Sequence, residues 1–252
     1  MPVQRDDLVT YCNELLRIDA FKDYCPNGLQ VEGEAEIKTL MTGVTASEAL
    51  IDKAIELNAD ALLVHHGYFW KGENPCITGM KGKRIRKLMR NGINLLAYHL
   101  PLDAHPALGN NAQLGQLLGL AVEEGLDDSA NPVGFVGRSN QDVTLAEFAQ
   151  KIEQVLGRTP QVFGDFNKKI TRVGWCTGGA QSYMTQAFEK SCDCFLSGEV
   201  SEKTYHESLE LGVAYIAAGH HATERYGVKA LGEHLKAKFD LEVIFTDIDN
   251  PV

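Results

Sequence analysis

The sequence predicts an α/β fold with a largely parallel sheet, built as two similar α/β halves, and three observations predict it. Short apolar runs bounded by turn residues have the length of buried strands, as at 60–64, 93–98, 194–197 and 213–217. Stretches with helical apolar spacing alternate with them, the order that produces parallel strands joined by helices. The chain also repeats itself faintly. An offset of 133 lays Ala54, Glu56, Asp60 and Leu63 over Ala187, Glu189, Asp193 and Leu196, and Gly92-Ile93-x-x-Leu96-Ala97 resembles Gly212-Val213-x-x-Ile216-Ala217.

Taken in order, Asp6 and Asp7 are placed to cap a first helix to about Arg17, with Leu8, Cys12, Leu15 and Leu16 on its apolar side. Pro26-Asn27-Gly28 then breaks the chain. A strand over 38–44 leads into Thr45-Ala46-Ser47-Glu48, whose spacing suits a capping box opening a helix to about Asn58. After the 60–64 strand come an aromatic loop, a basic helix stopped by Asn91-Gly92, the 93–98 strand and a helix over 111–118. The acidic, turn-rich segment 123–132 marks the domain boundary: residues 1–127 with 218–252 form one domain and 128–217 the other. Beyond it lie a strand over 133–137, a helix to about Leu156 capped by Thr144-x-x-Glu147, and a strand over 171–176 ending at Thr177-Gly178-Gly179. Helices over 182–190 and 201–211 alternate with the strands at 194–197 and 213–217. A helix from His220 to about Lys238 and a strand over 241–246 complete the chain.

Composition narrows the function. With 24 basic and 34 acidic residues the net charge is -10, which argues against general affinity for nucleic acid or an anionic membrane. The basic cluster Lys81, Lys83, Arg84, Arg86, Lys87 and Arg90 has helical spacing and reads as a solvated helix face. No apolar run reaches the ~18 residues of a membrane span, and the first residues lack signal-peptide order, so a cytoplasmic protein is expected. Six cysteines show no CxxC pair and are expected reduced, buried and inert.

Candidate ligands follow three strands: His65-His66, His99 with Asp103, and His220-His221 with Glu224 four residues on. Ligand sites in α/β sheets lie past the carboxyl ends of strands. Adjacent histidines on opposite strand faces seldom hold one ion, yet just past a strand they can serve two neighbouring ions. Imidazole with carboxylate suits zinc, iron, manganese or nickel, and a carboxylate can bridge two ions. The plainer alternative is a loop cap and a core histidine. Spacing alone leaves His99, His105 and His221 open.

At six places, Pro26-Asn27-Gly28-Leu29-Gln30-Val31, Gly43-Val44-Thr45-Ala46-Ser47, Val64-His65-His66-Gly67, His99-Leu100-Pro101-Leu102-Asp103, Ser197-Gly198-Glu199 and Ala218-Gly219-His220-His221-x-x-Glu224, the chain resembles the Nif-three-like family, the "GTP cyclohydrolase 1 type 2 homologues". The resemblance implies two interlocked α/β domains, a homohexameric toroid and two divalent metal ions per chain. It implies that His65 and Asp103 hold one metal, His66 and His220 the other, and that Glu224 bridges both. His99, His105 and His221 then fall outside the ligand set, with His99 expected to orient Asp103. Glu199, which the repeat sets at the strand end opposite His65, is a candidate general base, a hydrogen-bond acceptor behind a metal ligand, or a helix cap, and Tyr68, Trp70 and Lys71 are candidate pocket residues. The resulting expectation is a metal-dependent hydrolase acting on a nucleotide or similar small molecule. A non-catalytic metal carrier or partner-binding oligomer uses the same ligands, and a DNA-handling ring would need the basic helix to line its hole.

Overall fold

Ala61–His66 is the central strand of a five-stranded sheet in the computed structural model of the chain, which describes residues 2–252. The spatial order is Glu242–Phe245, Thr39–Thr45, Ala61–His66, Asn94–Ala97 and Gly28–Val31; only the last pairs antiparallel. Helices Glu48–Glu56 and Gly79–Arg90 connect the parallel strands. Because strand side chains alternate, Leu62 and Val64 pack with Leu95, Leu50, Ile51, Ile85 and Leu88 on one face, each contributing about 1.5–3 kcal/mol. Leu63 and His65 point to the other face, and both are fully buried.

The chain forms two compact units, Met1–Leu102 with Gly227–Asp249 and Asp103–Tyr226 with Asn250–Val252. These limits fall at 102/103 and 226/227, where the sequence reading puts them at 127/128 and 217/218. The segment over 123–132 lies within the second unit: Leu120–Gly125 is a strand pairing with Phe135–Thr144, and the Leu126 N–H donates to the Gly134 carbonyl at 2.9 Å. In that unit three parallel strands, Lys169–Cys176, Cys194–Ser197 and Ala214–Ala217, are flanked by antiparallel neighbours. Its core gathers Trp175, Phe148, Ile152, Leu196 and Ile216.

The repeat is physical. Asp60 Oδ2 accepts the N–H groups of Lys38 and Thr39, at 2.8 and 2.9 Å, and the Asp60 N–H donates to the Thr39 carbonyl. Asp193 Oδ2 accepts those of Thr171 and Arg172, at 3.0 and 2.9 Å, and the Asp193 N–H donates to the Arg172 carbonyl. One carboxylate thus clamps the start of the preceding strand in each unit. Asp60→Ala and Asp193→Ala are each expected to cost about 1–3 kcal/mol, since two strand N–H groups lose their acceptor; urea titration measures it, and unchanged midpoints would refute the clamp.

Several local expectations shift. The first helix runs Arg5–Leu16 behind Gln4, with no side-chain cap; Asp6 and Asp7 sit in the first turn, where they oppose the helix dipole. Ser47, not Thr45, caps the next helix, its Oγ accepting the Leu50 N–H at 3.2 Å. The Thr144–Glu147 capping box forms as expected. The helix expected over 182–190 is a 3-10 turn, Gln181–Tyr183, followed by Met184–Glu189. The expected helix from His220 is two helices, His220–Thr223 and Arg225–Phe239, broken at Glu224. Cys76 is exposed, unlike the other five cysteines.

Three of the six basic residues of the basic helix are ion-paired within their own unit. Lys83 and Lys87 both reach Glu48 at 2.7 Å, Lys87 also reaches Asp52, and Lys81 meets Glu73 at 3.2 Å. The hydrogen bonds from Lys83 and Lys87 hold the Glu48 carboxyl down at about 2. Among the described residues no helix is long and apolar enough to cross a membrane.

Candidate metal centre

In the first unit three imidazoles converge. His65 and His66 are the last two residues of their strand rather than lying beyond it. Ring centroids are 4.5 Å apart for His65 and His66, 5.0 Å for His65 and His99, and 5.8 Å for His66 and His99. One ring nitrogen of each lies within 4.8 Å of the others, a grouping able to hold a metal ion. His65 Nδ1 lies 2.9 Å from the Tyr98 carbonyl oxygen. A carbonyl only accepts, so Nδ1 carries a proton and Nε2 is the nitrogen left to ligate a metal. His66 Nδ1 meets the Thr45 hydroxyl at 3.2 Å.

His99 is oriented from behind. Its Nδ1 pairs with Asp23 Oδ1 at 2.7 Å, while Asp23 Oδ2 accepts from Asn27 Nδ2 and the Leu100 N–H. Burial pushes the Asp23 carboxyl up, but the His99 hydrogen bond and charge, with the Asn27 and Tyr24 donors, outweigh it and leave it below its ordinary value. Sequence reasoning missed Asp23: it lies 76 residues from His99 and no spacing announces the pair.

Trp70 packs edge-on against His99, its centroid 5.0 Å away, and donates from Nε1 to the Gly67 carbonyl. Tyr68 is buried, its hydroxyl donating to the Ala46 carbonyl at 2.7 Å, and Lys71 is exposed.

In the second unit Asp103 is buried, and its Oδ1 accepts from Asn110 Nδ2 at 2.9 Å and Thr177 Oγ1 at 3.3 Å. Asn111 ties the Asp103 and Val133 carbonyls through Nδ2 and accepts the Thr177 N–H through Oδ1. These partners were not anticipated either, because they come from a helix start and a strand end far apart in sequence.

His220 stands between two carboxylates, Nδ1 at 2.7 Å from Glu199 Oε1 and Nε2 at 3.2 Å from Glu224 Oε2. Burial lowers the imidazole pKa, yet the hydrogen bonds and charges of Glu224 and Glu199 more than reverse this, raising it to about 9. Two carboxylates converging on one imidazole make the negative surround that a cation site requires. Glu199 therefore acts on His220, and the 133-residue offset sets it level with His66 rather than His65.

Gly178, at φ 68°, provides the room. A side-chain carbon there would collide with Glu224 Oε1 and lie 3.1 Å from His220 Nε2. His221 is buried, its N–H donating to the Val252 carbonyl. His105 Nδ1 accepts the Ala107 and Leu108 N–H groups, a turn cap.

Comparison with known proteins fits this picture. The chain is 57% identical over 242 residues to a "GTP cyclohydrolase 1 type 2 homolog" of Vibrio cholerae, covering 95% of this chain and 96% of the relative. It is 50% identical over 250 residues to the protein of that name from Escherichia coli K12, covering 99% and 100%. Among solved structures, "protein ybgI, unknown function" superposes with a TM-score of 0.96 at 50% identity over 99% of this chain and all of that one. TTHA1606 from Thermus thermophilus follows at 0.89 and 36%, covering 99% and 100%, and reduced HcgD from Methanocaldococcus jannaschii at 0.85 and 27%, covering 98% and 99%. The family model for Duf34/NIF3 (NGG1p interacting factor 3) matches residues 3–251, and the chain belongs to that family.

Proposed function

We propose that this protein is a dinuclear metal-dependent hydrolase acting on a nucleotide or a similar small molecule. In this reading His65 and Asp103 hold one divalent ion, His66 and His220 the other, and Glu224 bridges them. The observation that carries it is the His65 hydrogen bond to the Tyr98 carbonyl, which leaves Nε2 of a fully buried imidazole to ligate a metal. Buried histidine and buried carboxylates form a donor set suited to zinc, iron, manganese or nickel. The Gly178 cradle, which a side chain would fill, fits the same purpose.

A pair of divalent ions held there supplies Lewis acidity and water that ionises near neutral pH. The chain's own residues do the rest. Glu199 accepts the His220 Nδ1 proton and fixes the ring, and Asn110 and Thr177 fix the Asp103 carboxylate. Trp70, half-buried against His99, is in this reading the aromatic that lines a substrate pocket. The names of the relatives support a nucleotide substrate. The reading also includes a homo-oligomer, for which light scattering should give about six times the 27.7 kDa of one chain.

The test is a screen of nucleotides and simple esters with metal-reconstituted protein. Turnover is expected in wild type and at least 100-fold loss in Glu224→Ala, as for removal of a group that organises the transition state (~3 kcal/mol). Release of metal to an acceptor without turnover of any substrate would replace the hydrolase with a metal carrier.

A further inference from the structure

Arg158 carries a guanidinium that the reading above does not use. It follows Gly157, which ends the helix Leu145–Leu156, and leads into the edge strand Gln161–Phe163. That strand pairs antiparallel with Ala214–Ala217, Gln161 opposite Ala217, so the residues before Gln161 run alongside those after Ala217. Continuing this register sets Arg158 level with His220.

The side chain lies across Gly219. A side-chain carbon on Gly219 would fall 3.0 Å from both Cδ and Cζ of Arg158, so the glycine, at φ 100°, is what lets the guanidinium rest against the backbone next to His220. Arg158 Nη1 is shut off from solvent, and among the described residues it has no hydrogen-bond partner. A guanidinium stays charged and offers five donors in a rigid plane, and buried groups of this kind are normally paired. The carboxylates nearest along the chain and the sheet edge are engaged elsewhere: Glu153 accepts from the Thr159 hydroxyl, and Glu199 and Glu224 flank His220. A half-buried guanidinium whose Nη1 has no partner among the described residues, set beside a metal-ligand candidate, is suited to an external oxyanion, which a planar fork binds through two parallel N–H···O bonds.

Resting on the hydrolase reading for the neighbouring ligands, we propose that Arg158 is a substrate-recognition residue that takes an oxyanion, the phosphate or carboxylate group of a small molecule, beside His220. The test titrates the full-length protein calorimetrically with inorganic phosphate and, separately, with succinate, before and after removal of metal by chelator. Wild type, Arg158→Gln and Arg158→Lys are compared, and the metal content of each is measured.

Binding of at least one anion is expected in both metal states, weakened roughly ten- to a hundredfold in Arg158→Gln with metal content unchanged. Arg158→Lys, which keeps the charge without the fork, should fall between. The tighter of the two anions identifies the group recognised. Equal affinity in wild type and Arg158→Gln would overturn the proposal, as would binding of neither anion or binding confined to the metal-loaded protein. Loss of metal in Arg158→Gln with anion affinity intact would also overturn it, making Arg158 a support for His220. Anion binding that depends on Arg158 in a protein without hydrolytic turnover would sink the hydrolase and leave this inference standing.

Discussion

Glu224→Ala should purify as a folded protein with almost no metal, whereas on the dinuclear proposal wild type should carry about two ions per chain and Asp103→Ala about one. The asymmetry follows from the proposed roles, one carboxylate shared by both ions and the other serving a single ion. Glu224 is buried at the break between two helices and Asp103 is buried with its Oδ1 held by Asn110 and Thr177, so each deletion removes a specific donor from a built surround. Glu199→Gln provides the contrast: it leaves every proposed ligand in place but weakens the acceptor that fixes His220, and should lower metal affinity by roughly 10–100-fold without emptying the site. Elemental analysis of untagged protein purified without chelator, with metal titration for Glu199→Gln, measures all three. Equal metal content in wild type, Glu224→Ala and Asp103→Ala would end the dinuclear reading.

Trp175→Ala should be the most damaging core substitution, destabilising the second unit by about 3–5 kcal/mol. The indole is fully buried, and it donates from Nε1 to the Asn111 carbonyl at 2.9 Å. Its six-membered ring fits where Gly115 has no side chain: a carbon there would lie 2.8 Å from Cζ2. Loss of the ring leaves a cavity, and loss of the donor removes a buried hydrogen bond to a residue that also holds Asp103 and Thr177. Trp175→Phe keeps much of the volume and should cost about 1–3 kcal/mol, mainly for the missing N–H. Denaturant titration followed by circular dichroism separates the two, and a loss below about 1 kcal/mol in Trp175→Ala would refute the assignment.

What could be read from the sequence was what depends on neighbours along the chain. The apolar run before His65 and His66 announces a buried strand because alternation and burial leave a local pattern, and Thr144-x-x-Glu147 announces its cap for the same reason. The edge strands Gly28–Val31, Leu120–Gly125 and Gln161–Phe163 were missed, since short, partly polar strands are defined by the partner they meet. The partners of the candidate ligands were hidden likewise: Asp23 reaches His99 across 76 positions and Thr177 reaches Asp103 across 74. Glu224 was legible as a ligand candidate but not as a helix break, because His220 and Glu224 keep i, i+4 spacing whether or not the helix continues between them.

The paired aspartate clamps, Asp60 and Asp193, sit at the opposite ends of their strands from the candidate ligands. At the ligand end the same offsets set His65 and His66 against Gly198 and Glu199, and, with the 120-residue offset of the glycine repeat, His99 against Gly219. One unit thus carries imidazoles at these positions, while the other carries glycines and a carboxylate at the matching ones. Damage to the two ends should therefore look different at the bench. Lesions at the clamp end would show as poor yield of soluble protein, and lesions at the ligand end as normal yield of protein with altered cargo.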